Sequence, residues 1–173
     1  FFSYRSDGTV EGTTIANGIH SRVSPQGYYY YGPFGLLWEY VASSQRVQRG
    51  ATHATLTNEA WQVAGSYVLT GENASYRSVA PTQPFDLTKG TWGAFELAAR
   101  YGELTVDKDA FPFFANPTRA SRIAHSWGLG FNWYLNRNVK FQLHSAQTDF
   151  TGGNASGERP KERALLSRFQ VAF

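Results

Sequence analysis

The chain contains neither cysteine nor methionine in its 173 residues. Without cysteine there is no disulfide framework, no thiolate nucleophile and no thiolate metal ligand. No stretch approaches the ~20 consecutive apolar residues of a membrane helix, and the mean hydropathy is negative. That leaves strand-built membrane proteins open, because they hide apolar residues by alternation. Charge is sparse, with 17% charged residues and a net of +3. No Lys/Arg cluster points to nucleic acid. The four histidines, His20, His53, His125 and His144, lack metal-ligand spacing. Asp107 and Asp109 flank Lys108, but the glycine and distal glutamate of a calcium loop are missing. There is no nucleophile elbow and no phosphate-cradling glycine loop. Gly128 and Gly130 imitate part of a dinucleotide motif, yet they read as small residues on one face of a strand. The sequence therefore offers no catalytic constellation and calls for no cofactor.

What is abundant is aromatic: 5 Trp, 10 Tyr and 13 Phe. These residues recur at a spacing of two. A strand sends alternate side chains to opposite faces. Near the C-terminus, Phe169, Val171 and Phe173 alternate with Arg168, Gln170 and Ala172. Trp127, Leu129, Phe131 and Trp133 alternate with Ser126, Gly128, Gly130 and Asn132. Val139, Phe141 and Leu143 alternate with Lys140, Gln142 and His144. The same pattern runs through Phe95 to Tyr101, Trp61 to Leu69 and Phe34 to Tyr40, and no 3.6-residue apolar stripe competes with it. Expected strands cover about 20–31, 34–47, 54–70, 91–106, 121–135, 139–150 and 162–173, with 1–5 a possible eighth. Tyr31-Gly32-Pro33 and Asn136-Arg137-Asn138 carry the residues of tight turns. The stretches 6–19, 107–120 and 151–161 are longer and polar. Short turns on one side and long loops on the other mark an outer-membrane barrel. The segment 71–90 breaks the rule, being long on the short-turn side.

The final aromatic resembles the C-terminal signal of such barrels, which implies engagement of the barrel assembly machinery through Phe173. Longer motifs sharpen the resemblance. Tyr28-Tyr29-Tyr30-Tyr31-Gly32-Pro33-Phe34-Gly35, Ala60-Trp61-Gln62-Val63-Ala64-Gly65-Ser66-Tyr67, Trp92-Gly93-Ala94-Phe95-Glu96-Leu97 and Asn132-Trp133-Tyr134-Leu135-Asn136-Arg137-Asn138-Val139-Lys140 resemble the phosphate-selective porin O and P family. The likeness spans about residue 20 to Phe173. It implies that the chain is the C-terminal part of a 16-stranded barrel whose N-terminal strands are absent, a start that Phe1-Phe2-Ser3-Tyr4-Arg5, read as mid-strand, also favours. It further implies a homotrimer in the bacterial outer membrane, in contact with membrane lipid and lipopolysaccharide. The implied cargo is a phosphate-like anion.

Parity divides the charges. Trp127, Leu129, Phe131, Trp133, Phe141, Phe169 and Val171 are expected to face lipid. Arg22, Arg100, Arg122, Lys140 and Arg168 are expected to face the lumen, together with the acids Glu39 and Glu96. The alternative for Arg122 is a rim position meeting lipopolysaccharide or solvent. Arg or Lys facing lipid at mid-membrane would cost roughly 2–4 kcal/mol, which fixes the parity of Arg100 and Arg168. Glu39 and Glu96 are expected to pair with neighbouring bases. A rival reading is a small eight-stranded barrel, filled by side chains and without a channel. The small residues on the lumen parity, among them Ala64, Ser66, Ala98, Gly102, Gly128 and Gly130, would leave such a barrel full of voids.

Overall fold

The computed structural model describes residues 1–172; Phe173, on which the assembly-signal reading rests, lies outside the described residues. The strands are β1 (Ile15–Val23), β2 (Gln26–Tyr31), β3 (Phe34–Arg49), β4 (Thr52–Val68), β5 (Ala94–Thr105), β6 (Ser121–Tyr134), β7 (Val139–Asn154), β8 (Gly157–Glu158) and β9 (Glu162–Val171). They form one sheet, and every pairing is antiparallel. β1 and β2 both pair with β3, the ladder continues through β4, β5, β6 and β7 to β9, and β8 adds a short hairpin to β7. The fold is all-β, as the alternation requires.

The departures from the expected strands have local causes. The strand expected over 20–31 is two strands in line, broken at Ser24-Pro25. Proline has no N–H to give a ladder, though its carbonyl still accepts from Tyr40 N–H at 2.9 Å. Residues 1–5 are not an eighth strand. Their strand-type pairing is a single isolated bridge, Tyr4 with Ala115, and Phe2 and Tyr4 turn into an apolar cluster instead. β7 extends beyond the expected 150 to Asn154 and turns back through β8. β5 starts at Ala94 rather than 91. Gly93 forces that start: its φ is +76°, and a Cβ there would lie 2.1 Å from the Tyr134 carbonyl oxygen.

The sheet is open rather than closed on itself. Among the described residues, the outer edges of β1–β2 and of β9 have no strand partner. It nonetheless curls, because Glu39 of β3 and Glu162 of β9 line one hollow of about 380 Å³. The register gives each face a distinct chemistry. Outward rows include Trp38–Val63–Tyr101–Trp127 and Phe34–Tyr67–Leu97–Phe131–Leu143. Another outward row is Phe95–Trp133–Phe141–Phe169. Large apolar side chains lie bare there, Leu129 at 57% exposure and Phe169 at 65%. An apolar surface this large marks a partner or a membrane.

The inner face carries two apolar patches, one at each end of the strands. At the loop end, Val47, Leu56 and Val106 pack with Ala110, Phe114, Ala115 and Ala120 from the 107–120 segment. Phe2 and Tyr4 pack against the same patch. Asp107 is the local organiser: it accepts from Thr57 N–H at 2.7 Å and from Asp109 N–H at 3.0 Å. At the turn end, Val68, Ala94 and Tyr134 pack with Ala74 and Val79. This accounts for the long 71–90 segment. Its first part folds back over the inner face, with Tyr76 stacked on Tyr28 at 5.4 Å. Its second part lies among outward aromatics, with Phe85 5.4 Å from Trp133. Glu72 pins the fold-back through the Thr70 hydroxyl and the Thr82 N–H.

Two outcomes test this packing. Val79→Asp buries an unpaired carboxylate and should release 72–82, read as faster tryptic cleavage at Arg77 of the protein in detergent micelles. Partial burial pushes the Glu72 carboxyl up, but its hydrogen bonds from Thr70 and Thr82 outweigh this and leave it below the usual range. A group lowered on folding stabilises above its unfolded pKa, and that contribution is lost as pH falls through the lowered value. Protection of Arg77 should therefore hold at neutral pH and fade only below the ordinary carboxylate range, whereas Glu72→Gln should remove that dependence.

Candidate functional site

The bare centre of the inner face is built from small residues. One row reads Leu37–Ala64–Arg100–Gly128–Ala146–Ala164, and the next Gly35–Ser66–Ala98–Gly130–His144–Leu166. Arg100 rises out of that floor. Its side chain is exposed, with alanine and glycine as cross-strand neighbours. Towards the turn end the row is Val68–Glu96–Asn132–Gln142–Arg168. Lys140 follows, between Tyr134 and Gln170, with its ammonium 5.8 Å from the centre of the Tyr134 ring. Arg22 lies apart, exposed on edge strand β1 opposite Ser43. Arg122 is the extra residue of a bulge, where the register slips between Ser121 and Ile123. The structure thus gathers Arg100, Arg168 and Lys140 on one face and leaves Arg22 and Arg122 at its margins.

The acids behave differently from expectation. Glu96 is 7% exposed. It accepts from Asn132 Nδ2 at 2.8 Å and from the Tyr134 hydroxyl at 2.7 Å, while Gln142 Nε2 donates to Asn132 Oδ1 at 2.8 Å. Glu39 accepts from Gln62 at 3.0 Å and from Ser24 at 3.2 Å. Among the described residues neither acid forms an ion pair; the pairs present are Lys89–Asp86, His125–Glu103, Arg159–Glu162 and Lys161–Asp149. Neutral amide and hydroxyl donors hold the carboxylates in place of the expected bases. The inner-face cations therefore keep their charge unpaired, at a surface where an anion can reach them. A guanidinium offers a planar fork of donors to a carboxylate or phosphate.

Periodicity missed two further basic groups, because Arg5, Arg119, Arg77 and Arg137 come from outside the strands. Arg5, Arg49 and Arg119 line a hollow of about 520 Å³ at the loop end. Arg49 is fixed there by Gly12 O at 3.0 Å and Phe113 O at 2.8 Å. Arg77, Arg137 and Lys140 share a smaller hollow of about 110 Å³ at the turn end. The fold-back of 1–14 brings Arg5 beside Arg49 and Arg119, and that of 71–82 brings Arg77 beside Arg137 and Lys140. Among the described residues, no group of His, Asp and Glu is arranged to hold a metal.

The sheet thus combines an apolar outside with a small-residue inner floor and unpaired inner cations. The family profile of phosphate-selective porin O and P matches residues 4–173. The chain belongs to that family. Its members are channels rather than enzymes. Among curated proteins no relative matches.

The hydrogen-bond cluster of this porin sheet is testable. Glu96→Ala leaves the Tyr134 hydroxyl and the Asn132 amide without their acceptor and should cost about 1–3 kcal/mol, measured by urea unfolding in micelles. Glu96→Gln keeps an acceptor oxygen and should cost less.

Proposed function

We propose that this chain forms part of the wall of an anion-preferring diffusion channel in the bacterial outer membrane, passing phosphate-like ions. The observation that carries the reading is the unpaired set Arg100, Arg168 and Lys140 on an inner face whose acids are held by neutral donors. Rings of cationic side chains favour anions in a pore. The outer face supports the location. From Trp127 to Trp133 the exposed apolar band spans about 20 Å at ~3.3 Å per residue, close to the ~25 Å band of outer-membrane barrels.

Closure follows from the same physics. Unpaired N–H and C=O groups along β1–β2 and β9 would each cost several kcal/mol in hydrocarbon. In a membrane both edges need strand partners, either each other or further strands, and the family's implication of a 16-stranded barrel with this sheet as its C-terminal part favours further strands. The homotrimer is likewise the family's implication. The rival small barrel suits the inner floor poorly, since the Ala64–Gly128–Ala146–Ala164 region cannot fill a closed core. The folded-back segments 1–14, 72–82 and 107–120 narrow the passage at its two ends.

Reversal potentials in a salt gradient across a planar bilayer test the channel. Anion preference is expected, and cation preference would overturn the selectivity. A unit charge at ~4 Å in water is worth about 1 kcal/mol, so Arg100→Ala with Arg168→Ala should lower the anion-to-cation permeability ratio, the anion permeability itself falling by no more than about fivefold per site.

A further inference from the structure

One feature of the inner face does not suit inorganic phosphate. Above the polar floor, five strands contribute an apolar row, Val41–Ala60–Leu104–Ala124–Phe150. This row and Arg100 line the same hollow of about 380 Å³. The volume falls in the range of small-molecule sites, which are mostly apolar with a few placed polar groups. Phosphate, strongly hydrated and rich in acceptors, would gain nothing from such a wall.

We propose that this hollow binds an organic anion of the aromatic carboxylate class, its head on Arg100 and its ring against the apolar row; the proposal rests on the anion-channel reading above. The charge argument rests on Arg100, the cation of the lining, which has no ion-pair partner among the described residues. Of the carboxylates in the same lining, Glu162 is paired with Arg159 at 2.6 Å, Glu103 lies 3.2 Å from His125, and Glu39 is occupied by Gln62 and Ser24. The shape argument selects a ring. Phe1, 38% exposed, lines the hollow and is held there by stacking on the buried Phe150 with centroids 5.8 Å apart, so an accessible aromatic ring is already in place. Aromatic pairs add about 0.5–1.5 kcal/mol beyond area burial.

The hollow also has a reason to stay open. Gly102 lies between Arg100 and Leu104 on the inner face of β5, and a Cβ there would come 2.8 Å from the Trp61 carbonyl oxygen. Its cross-strand neighbour Ser126 is small. Along β5, Arg100 and Leu104 are about 13 Å apart at ~3.3 Å per residue. That span admits a carboxylate and one ring between the extended guanidinium and the apolar row.

The test uses benzoate as probe and acetate as its ringless control, titrated by saturation-transfer NMR onto the protein in detergent micelles and onto the same protein in planar bilayers as a blocker of chloride current. Benzoate should bind about tenfold or more tighter than acetate. Arg100→Gln should weaken benzoate about tenfold, the scale of a lost charge-assisted hydrogen bond. Ala60→Leu fills the hollow without touching a charge and should weaken benzoate while sparing acetate. Circular dichroism checks that both variants fold. Equal binding of benzoate and acetate, or undiminished benzoate binding by Ala60→Leu, would overturn the site. Anion current without benzoate binding removes the site and leaves the channel. Benzoate binding that obeys the two variants without anion current upholds the site and removes the channel reading.

Discussion

The backbone ladder from β3 to β9 is the constraint on which the rest depends. Once neighbouring strands are in register, each side chain is committed to a face, and a slip of one residue would exchange the faces wholesale. Trp127, Phe131 and Trp133 would then turn inward, and Arg100 and Arg168 would turn towards hydrocarbon. The turns hold the register. Asn136 accepts from the Asn138 and Val139 N–H groups at 2.8 and 2.9 Å, which fixes β6 against β7. Gly93, with no space for a Cβ, fixes the start of β5.

The inner face is divided into zones by what covers it. At both ends the strands turn apolar residues inward, and segments that belong to no strand bury them. Val47 and Leu56 lie under 107–120 and the first residues of the chain, and Val68 and Ala94 lie under 72–82. The middle is left bare, with small and polar residues and the unpaired cations. Covering only the ends leaves the middle of this face bare while removing apolar surface from water, at about 25 cal/mol per Å² buried.

Electrostatics on this face depends on the neutral donors around the acids. A carboxylate beside a lumen arginine would cancel it. Asn132, Tyr134, Gln62 and Ser24 satisfy Glu96 and Glu39 instead. The arrangement keeps the acids as structural acceptors and the bases as open charges.

Much of this was legible in the chain because strand periodicity is a local property. Alternation over Ser126–Leu135 and Val139–His144 gives the strands, their faces and the side on which Arg100, Lys140 and Arg168 stand. Pro25 is visible in the sequence, but whether it ends a strand or interrupts one depends on β3 pairing on both sides of it. The partners of Glu96 and Glu39 were not legible, since they come from neighbouring strands whose register the sequence does not print. Nor were Arg5, Arg49 and Arg77 as inner-face residues, because segments without periodicity carry or position them. Sequence alone therefore determined which residues alternate, and with that the two faces of a membrane-type sheet. The tertiary structure decided what covers each face, because burial of the end patches depends on contacts between segments far apart in the chain.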